Sequence, residues 1–236
     1  MLNLALSQFH KACELLRTKG VSYVLKNRLL LPFHTCRHAI VYRDLAGVRP
    51  VDDQLAARGA AMVELTAETA DAYEACHASR SRCYGMKRYI RKGYNGFALV
   101  KEGLIIGEIW FGVDGTVVRR DLRLMQIELG PADVYIFDMF LARSHRGQGL
   151  AIPFLGAVMH ALARKGFARI ISYYDLTNTP ALWTHRVNGF RNLYQFQVHR
   201  VYTLRYAGTR IPADPAVPAE SWADRAPERA TERVGT

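Results

Sequence analysis

The chain has 236 residues, half of them apolar and 22% charged, which suits one packed domain with extensions and excludes a fibrous or wholly disordered chain. Its formal charge of +11 at neutral pH points to an anionic partner without saying which. No run reaches the roughly 18 apolar residues of a membrane span. The four cysteines, Cys13, Cys36, Cys76 and Cys83, form neither a C-x-x-C pair nor a zinc-type spacing with histidine, so they read as reduced thiols and no metal is expected.

At the N-terminus, Leu2, Leu6, Phe9, Cys13 and Leu16 recur every three or four positions, the mark of one helix face, with Gly20 as its stop. This stretch lacks the basic n-region and cleavage site of a signal peptide, which predicts a cytoplasmic protein. Its basic, amphipathic character also suits peripheral contact with a membrane surface. A second short helix is predicted over 21–30, ended by Pro32. "HAIVYRDL" (38–45) has the β-branched and aromatic content of a strand. Residues 1–59 are therefore expected to be an N-terminal extension of basic helices and one strand.

From residue 60 the pattern changes to alternating strands and helices. "AMVELT" reads as a strand, and "AETADAYEACHAS" as a helix with Thr66 as its N-cap. "RSRCYGMKRYIRK" (80–92) has six Lys/Arg and no acid, and reads as part of a basic loop over 80–95. "GFALVKEGLIIGEIWFGV" is a hairpin turning at Lys101–Gly103. Residues 113–130 give no clear pattern, although "RRDLR" (119–123) is again basic. "DVYIFDMFLA" (133–142) is a strong strand, "ARIISYYD" (168–175) another, and "TNTPALWTHRVNG" (177–189) a short helix. Strand-rich sequence closes the domain near residue 207. The Pro-, Ala- and charge-rich remainder, 208–236, is expected to be a disordered tail. Single helices crossing between strands predict a mixed α/β sheet with helices on its faces.

The stretch "RSHRGQGLAIPFLGAVMHALARKGF" (143–167) carries the chemistry. A helix leaves its first amides without internal partners, and its dipole is positive at that end. Gly147 and Gly149 would let a phosphate approach those amides, with Arg146 adding charge. A pyrophosphate at the amides of roughly Gly147–Ala151 is thus physically sensible, although tight strand–helix turns also use glycine for sterics alone. Pro153 has no N–H to offer the carbonyl of Gly149, so the helix either is distorted there or starts a residue or two later.

"RGQGLA" (146–151) after a strand, followed some thirty residues later by "NTPALWTHRVNGF" (178–190), resembles the GNAT acyltransferase superfamily. The resemblance covers roughly residues 60–207. It implies a splayed α/β sheet that opens between two central strands around an acyl-CoA, most simply acetyl-CoA. It further implies a pantetheine arm near Phe140, Leu141, Ala142 and Arg143, a pyrophosphate on Arg146, Gly147, Gln148, Gly149, Leu150 and Ala151, and Asn178 near the cofactor arm. The implied reaction is attack of an amine on the thioester, which needs a base, oxyanion donors and an acid for the thiolate.

The pattern of the resembled family is incomplete here. Where many relatives have a tyrosine acid, this chain has His185, with Tyr173 or Tyr174 as replacement donors. Where several relatives have a strand carboxylate or histidine as base, this chain has Tyr135. Alternation places Asp133, Tyr135, Phe137 and Met139 on one face, making Asp133 a base candidate. Asp138 points to the other face unless a bulge re-aims it. Glu108 is a further candidate. Arg82, Lys87, Arg88 and Arg91 of the basic segment suit an acceptor bearing phosphate or carboxylate, such as an amino sugar or amino acid derivative, or an acidic acyl carrier protein. A non-catalytic acyl-CoA-binding module on the same fold is the alternative. No nucleic-acid recognition motif stands out, so nucleic acid is not the expected partner.

Overall fold

The computed structural model describes residues 33–69, 77–113, 122, 124–201 and 204–211, with Cys13 and Leu16. The N-terminal helices apart from those two residues, most of the helix expected after Thr66 and half of 113–130 lie outside the described residues. The tail beyond 211 does too.

Among the described residues eight strands form one sheet. In chain order the elements are β1 (Phe33–Asp44), α1 (Asp52–Ala56), β2 (Ala60–Leu65), α2 (Arg80–Arg91), β3 (Asn95–Lys101), β4 (Leu104–Gly112) and β5 (Asp133–Leu141). A 3-10 turn (Arg143–His145), α3 (Ala151–Arg164), β6 (Arg169–Asp175), α4 (Thr179–Val187), β7 (Arg191–Val201) and β8 (Leu204–Ile211) complete them. The spatial order is β2-β3-β4-β5-β6-β1-β7-β8. Every neighbouring pair is antiparallel except β5–β6.

Two apolar layers sandwich this sheet. Leu55 of α1 and Phe154, Leu155, Val158 and Leu162 of α3 pack with Val134, Ile136 and Ile170 on one side. Met86 of α2 packs with Trp110, Tyr135, Phe137, Ile171 and Phe196 on the other. Away from their bulges the strands alternate between the layers, so their aromatic residues are chiefly core. Among the described residues no helix is long and apolar enough to cross a membrane.

Three expectations change. The basic segment 80–92 is a helix through Arg91, not a loop. Met86 is buried on it, and Tyr89 and Ile90 pack beside Met86, a helical stripe that the dense Lys/Arg around it disguises. Residues 33–44 of the extension are an interior strand, since β1 pairs with both β6 and β7; the sheet crosses the boundary drawn at residue 60. The expected tail begins too early, because Gly208–Ile211 belong to β8. A Cβ at Gly208 would sit 2.1 Å from the Phe196 ring, so only glycine lets this strand lie so close.

The hairpin between β3 and β4 is as expected, with Glu102 (φ 52°) and Gly103 (φ 75°) both left-handed as a tight turn of this hand requires. Pro153 is also resolved. The helix starts at Ala151, so Pro153 is its third residue, in the first turn where a missing N–H has no carbonyl to serve.

Candidate active site

The parallel pair β5–β6 is the source of the site. Its ladder joins only Asp133–Tyr135 to Arg169–Ile171. Beyond that point β5 runs on to Leu141 and β6 to Asp175 without pairing to each other, and the sheet splits. At the closed end Asp133 accepts from Arg169 at 2.9 and 2.6 Å and from the Gly130 amide at 2.7 Å. Arg169's bonds hold this carboxyl below its ordinary range, against a smaller opposing effect of burial.

A bulge bends β5 away. Glu108 of β4 faces Phe140 and Trp110 faces Phe137, so Ile109 opposes both Asp138 and Met139. Asp138 takes the extra residue's place with φ 52°, a conformation that aspartate tolerates better than most residues. The alternation rule breaks there, and Asp138 reaches the cavity wall.

The gap holds a cavity of about 820 Å³. One end is formed by Arg146, Gly147, Gly149, Leu150, Ala151 and Ile152 at the start of α3. Gly147 (φ 79°) and Gly149 (φ 69°) turn the chain into the helix, and no residue of the turn caps the first amides with a side chain. Arg146 Nε donates to the Leu141 carbonyl at 2.9 Å and Gln148 donates to the Ser144 carbonyl at 3.0 Å, tying the turn to the end of β5. Arg58 lies against Gly149, about 3.5 Å from where a Cβ would be. The middle is walled by Phe137, Asp138, Met139 and Leu141 of β5 and Ser172–Asp175 of β6, and His38 of β1 and α4 close it.

The residues singled out from the sequence divide into two groups. Leu141, Arg146, Gly147, Gly149, Leu150, Ala151, Asn178 and His185 meet at the cavity. Phe140, Ala142, Arg143 and Gln148 flank it without lining it, and Asp133, Tyr135 and Glu108 are also off its wall. Tyr135 is fully buried, stacked on Phe137 at 5.7 Å between ring centres. Asn178 is the N-cap of α4, its Oδ1 accepting from the Ala181 amide at 3.2 Å.

His185 is 5% exposed. Its Nδ1 donates to the Ala181 carbonyl at 2.8 Å and its Nε2 accepts from the Ser172 hydroxyl at 3.2 Å. Burial lowers its pKa, outweighing the opposing bond to Ala181. Burial thus disfavours the imidazolium form, and the Nδ1 proton is committed to a backbone carbonyl. This has a consequence for stability. The unfolded histidine takes up a proton near pH 6.5, while the folded one resists until lower pH, so stability is complete above about 6.5 and falls as pH drops toward the folded value. Thermal unfolding between pH 7.5 and 5.5 should show that fall, and His185→Gln should flatten it. An unchanged slope in the variant would place the titration elsewhere.

Beside the cavity lies a charged network that no sequence spacing announced. Arg82 of α2 forks between Glu108 and Asp138, donating to Glu108 through Nε and to Asp138 through Nη1 at 3.1 Å. Tyr89, also on α2, donates to Asp138 Oδ2 at 2.7 Å. His77 Nε2 stands 3.7 Å from Glu108. Burial alone would lower the Arg82 pKa, but Glu108 and then Asp138 overcome it and hold the guanidinium charged. Burial and the neighbouring Asp138 charge raise the Tyr89 phenol, so it stays a donor. Of the cations expected to meet an acceptor, Arg82 is therefore engaged internally and Arg88 lies over the Tyr89 ring at 5.1 Å. Lys87 is partly buried on the same helix, and Arg91 is exposed at its last residue.

No protein-family model matches the chain, and no curated protein matches it at a significant level. Solved structures do. The GCN5-related glucosamine N-acetyltransferase region of a fungal multi-domain GH3 β-N-acetylglucosaminidase is 13% identical, with a TM-score of 0.50 over 71% of this chain and 21% of that one. A tandem GNAT protein from the clavulanic acid biosynthesis pathway is 16% identical, with a TM-score of 0.49 over 83% and 60%. A GNAT-family acetyltransferase from Colwellia psychrerythraea is 18% identical, with a TM-score of 0.45 over 78% and 60%. The chain spans less than two thirds of the length of each. At such identities the likeness speaks for architecture alone: this chain has a fold like that of the GCN5-related N-acetyltransferase region.

Proposed function

We propose that the chain is an acyl-CoA-dependent N-acyltransferase whose reaction takes place in the cavity between β5 and β6. The observation that carries this reading is the split parallel pair opening onto the uncapped start of α3. Unpaired strand edge suits a linear, amide-bearing arm such as pantetheine, which can add its own hydrogen bonds to β5. The α3 amides and Arg146 suit the pyrophosphate, with Arg58 close by. Asn178 and the start of α4 face the same space.

Acyl transfer forms a C–N bond and breaks the C–S bond of the thioester. The attacking amine must lose a proton and the departing thiolate must gain one. Asp138 is the carboxylate placed on the cavity wall by the bulge, and we assign it the amine proton, taken directly or through water. Tyr173 and Tyr174 are the phenols on the facing strand, and burial raises the Tyr174 pKa, which keeps it protonated and able to donate. The acceptor is a small amine. Acetyl-CoA is the simplest donor.

Calorimetry with CoA and acetyl-CoA, paired with turnover of acetyl-CoA against a panel of amines, tests the reading. One molecule should bind per chain. Gly149→Val should weaken binding about 10- to 100-fold, because a β-branched residue is strained at φ 69° and crowds the amides. Absence of binding by the unaltered chain sinks the proposal. Binding without turnover of any amine would instead make the chain a non-catalytic acyl-CoA module.

A further inference from the structure

Two residues apart on β1, Cys36 and His38 share the sheet face away from α3, and Asp175 of β6 is the cross-strand partner of His38. One ligand-type atom from each, a sulfur, an imidazole nitrogen and a carboxylate oxygen, lies within 4.8 Å of the others. His38 and Asp175 also line the cavity. The sequence offers no zinc-type spacing because the third partner comes from a strand far along the chain, brought alongside by the antiparallel register.

We infer that Cys36, His38 and Asp175 form a binding site for a zinc-type divalent ion, with its fourth position open to the cavity. The geometry fits that ion. A metal at about 2.3 Å from sulfur and about 2.0 Å from nitrogen, at a tetrahedral angle, separates the two by about 3.5 Å. Cys36 Sγ and His38 Nε2 are 3.4 Å apart. The donor set excludes the oxygen-seeking ions magnesium and calcium, since thiolate and imidazole favour zinc and its neighbours.

The surroundings hold these groups in place as outer partners of a metal do. Tyr173 packs edge-on against the His38 ring at 5.3 Å. Thr177 donates to Asp175 Oδ1 from its amide at 2.9 Å and from its hydroxyl at 2.7 Å, which fixes the carboxylate plane. Three protein ligands beside a cavity leave one position for water or for an incoming group, the arrangement of catalytic rather than structural zinc sites. Binding displaces the Cys36 thiol proton to solvent and leaves sulfur as thiolate. The inference stands apart from acyl transfer, because it concerns what the three side chains hold and not which reaction follows.

The test uses the full chain, purified without a metal-affinity column and supplied with zinc. Elemental mass spectrometry should find about one zinc per chain. After chelator treatment, cobalt(II) should produce a thiolate-to-metal charge-transfer absorption that Cys36→Ser abolishes. His38 is deeply buried, so Asp175→Asn serves as the second ligand variant, and it should lower zinc affinity at least about 100-fold. Thr177→Val should lower it about 10-fold. In the unaltered chain zinc should protect Cys36 from iodoacetamide, a readout that needs no variant. No retained zinc, no protection, or a cobalt spectrum that survives Cys36→Ser would overturn the inference and leave a simple thiol–imidazole hydrogen bond.

Discussion

Replacing Asp138 by Asn should lower kcat by about 10²- to 10⁴-fold, the range expected for loss of a general base, while CoA affinity stays as it was. The variant suits the question because it changes little else. Asparagine is among the residues most at ease with positive φ, so the bulge at φ 52° keeps its shape. With its carbonyl oxygen in the Oδ2 position it can still accept from Tyr89 and Arg82, the Oδ1 contact with Arg82 being lost, and Arg82 keeps its bonds to Glu108. What disappears is the negative charge and the ability to take a proton. Because the interaction matters only as the amine is deprotonated, kcat and kcat/KM should fall together with KM nearly unchanged. A rise in KM at constant kcat would show Asp138 to be a binding residue. No change in either would remove it from the mechanism and leave the amine to lose its proton to solvent.

How far Asp138 was visible in the sequence illustrates where local reading succeeds and fails. The paired glycines after a strong strand, and the apolar helix behind them, are local signals, and they lie at one end of the cavity. The Glu102–Gly103 turn is local in the same sense. Alternation along β5, by contrast, put Asp138 on the other face unless a bulge re-aimed it, and nothing in "IFDMF" marks the bulge that does; its cause lies in the pairing with β4. The Arg82–Asp138 pair joins residues 56 apart, and Glu108 comes from a third element. Such a network is invisible until the sheet and α2 are assembled. β1 shows the same limit at larger scale. Its strand character is legible in "HAIVYRDL", whereas its place between β6 and β7 depends on partners more than a hundred residues away.

The network also makes a prediction about stability. Glu108 is fully buried and depends on Arg82 for its charge compensation, with His77 farther off at 3.7 Å. Arg82→Met keeps the aliphatic stem but removes the guanidinium from the Phe140 ring, strands Glu108 and takes a partner from Asp138. Breaking a buried pair by removing one side typically costs about 3–5 kcal/mol. For a domain of this size that corresponds to a drop in Tm on the order of 10 °C. Neutralising both partners should behave differently, since the double variant Arg82→Met with Glu108→Gln leaves no bare charge in the interior. It should recover most of the loss, giving a favourable coupling of about 2 kcal/mol or more in a double-mutant cycle followed by urea denaturation. Additive losses would mean that Glu108 is solvated or otherwise compensated, and that α2 is held by the packing of Met86 and Tyr89 rather than by charge.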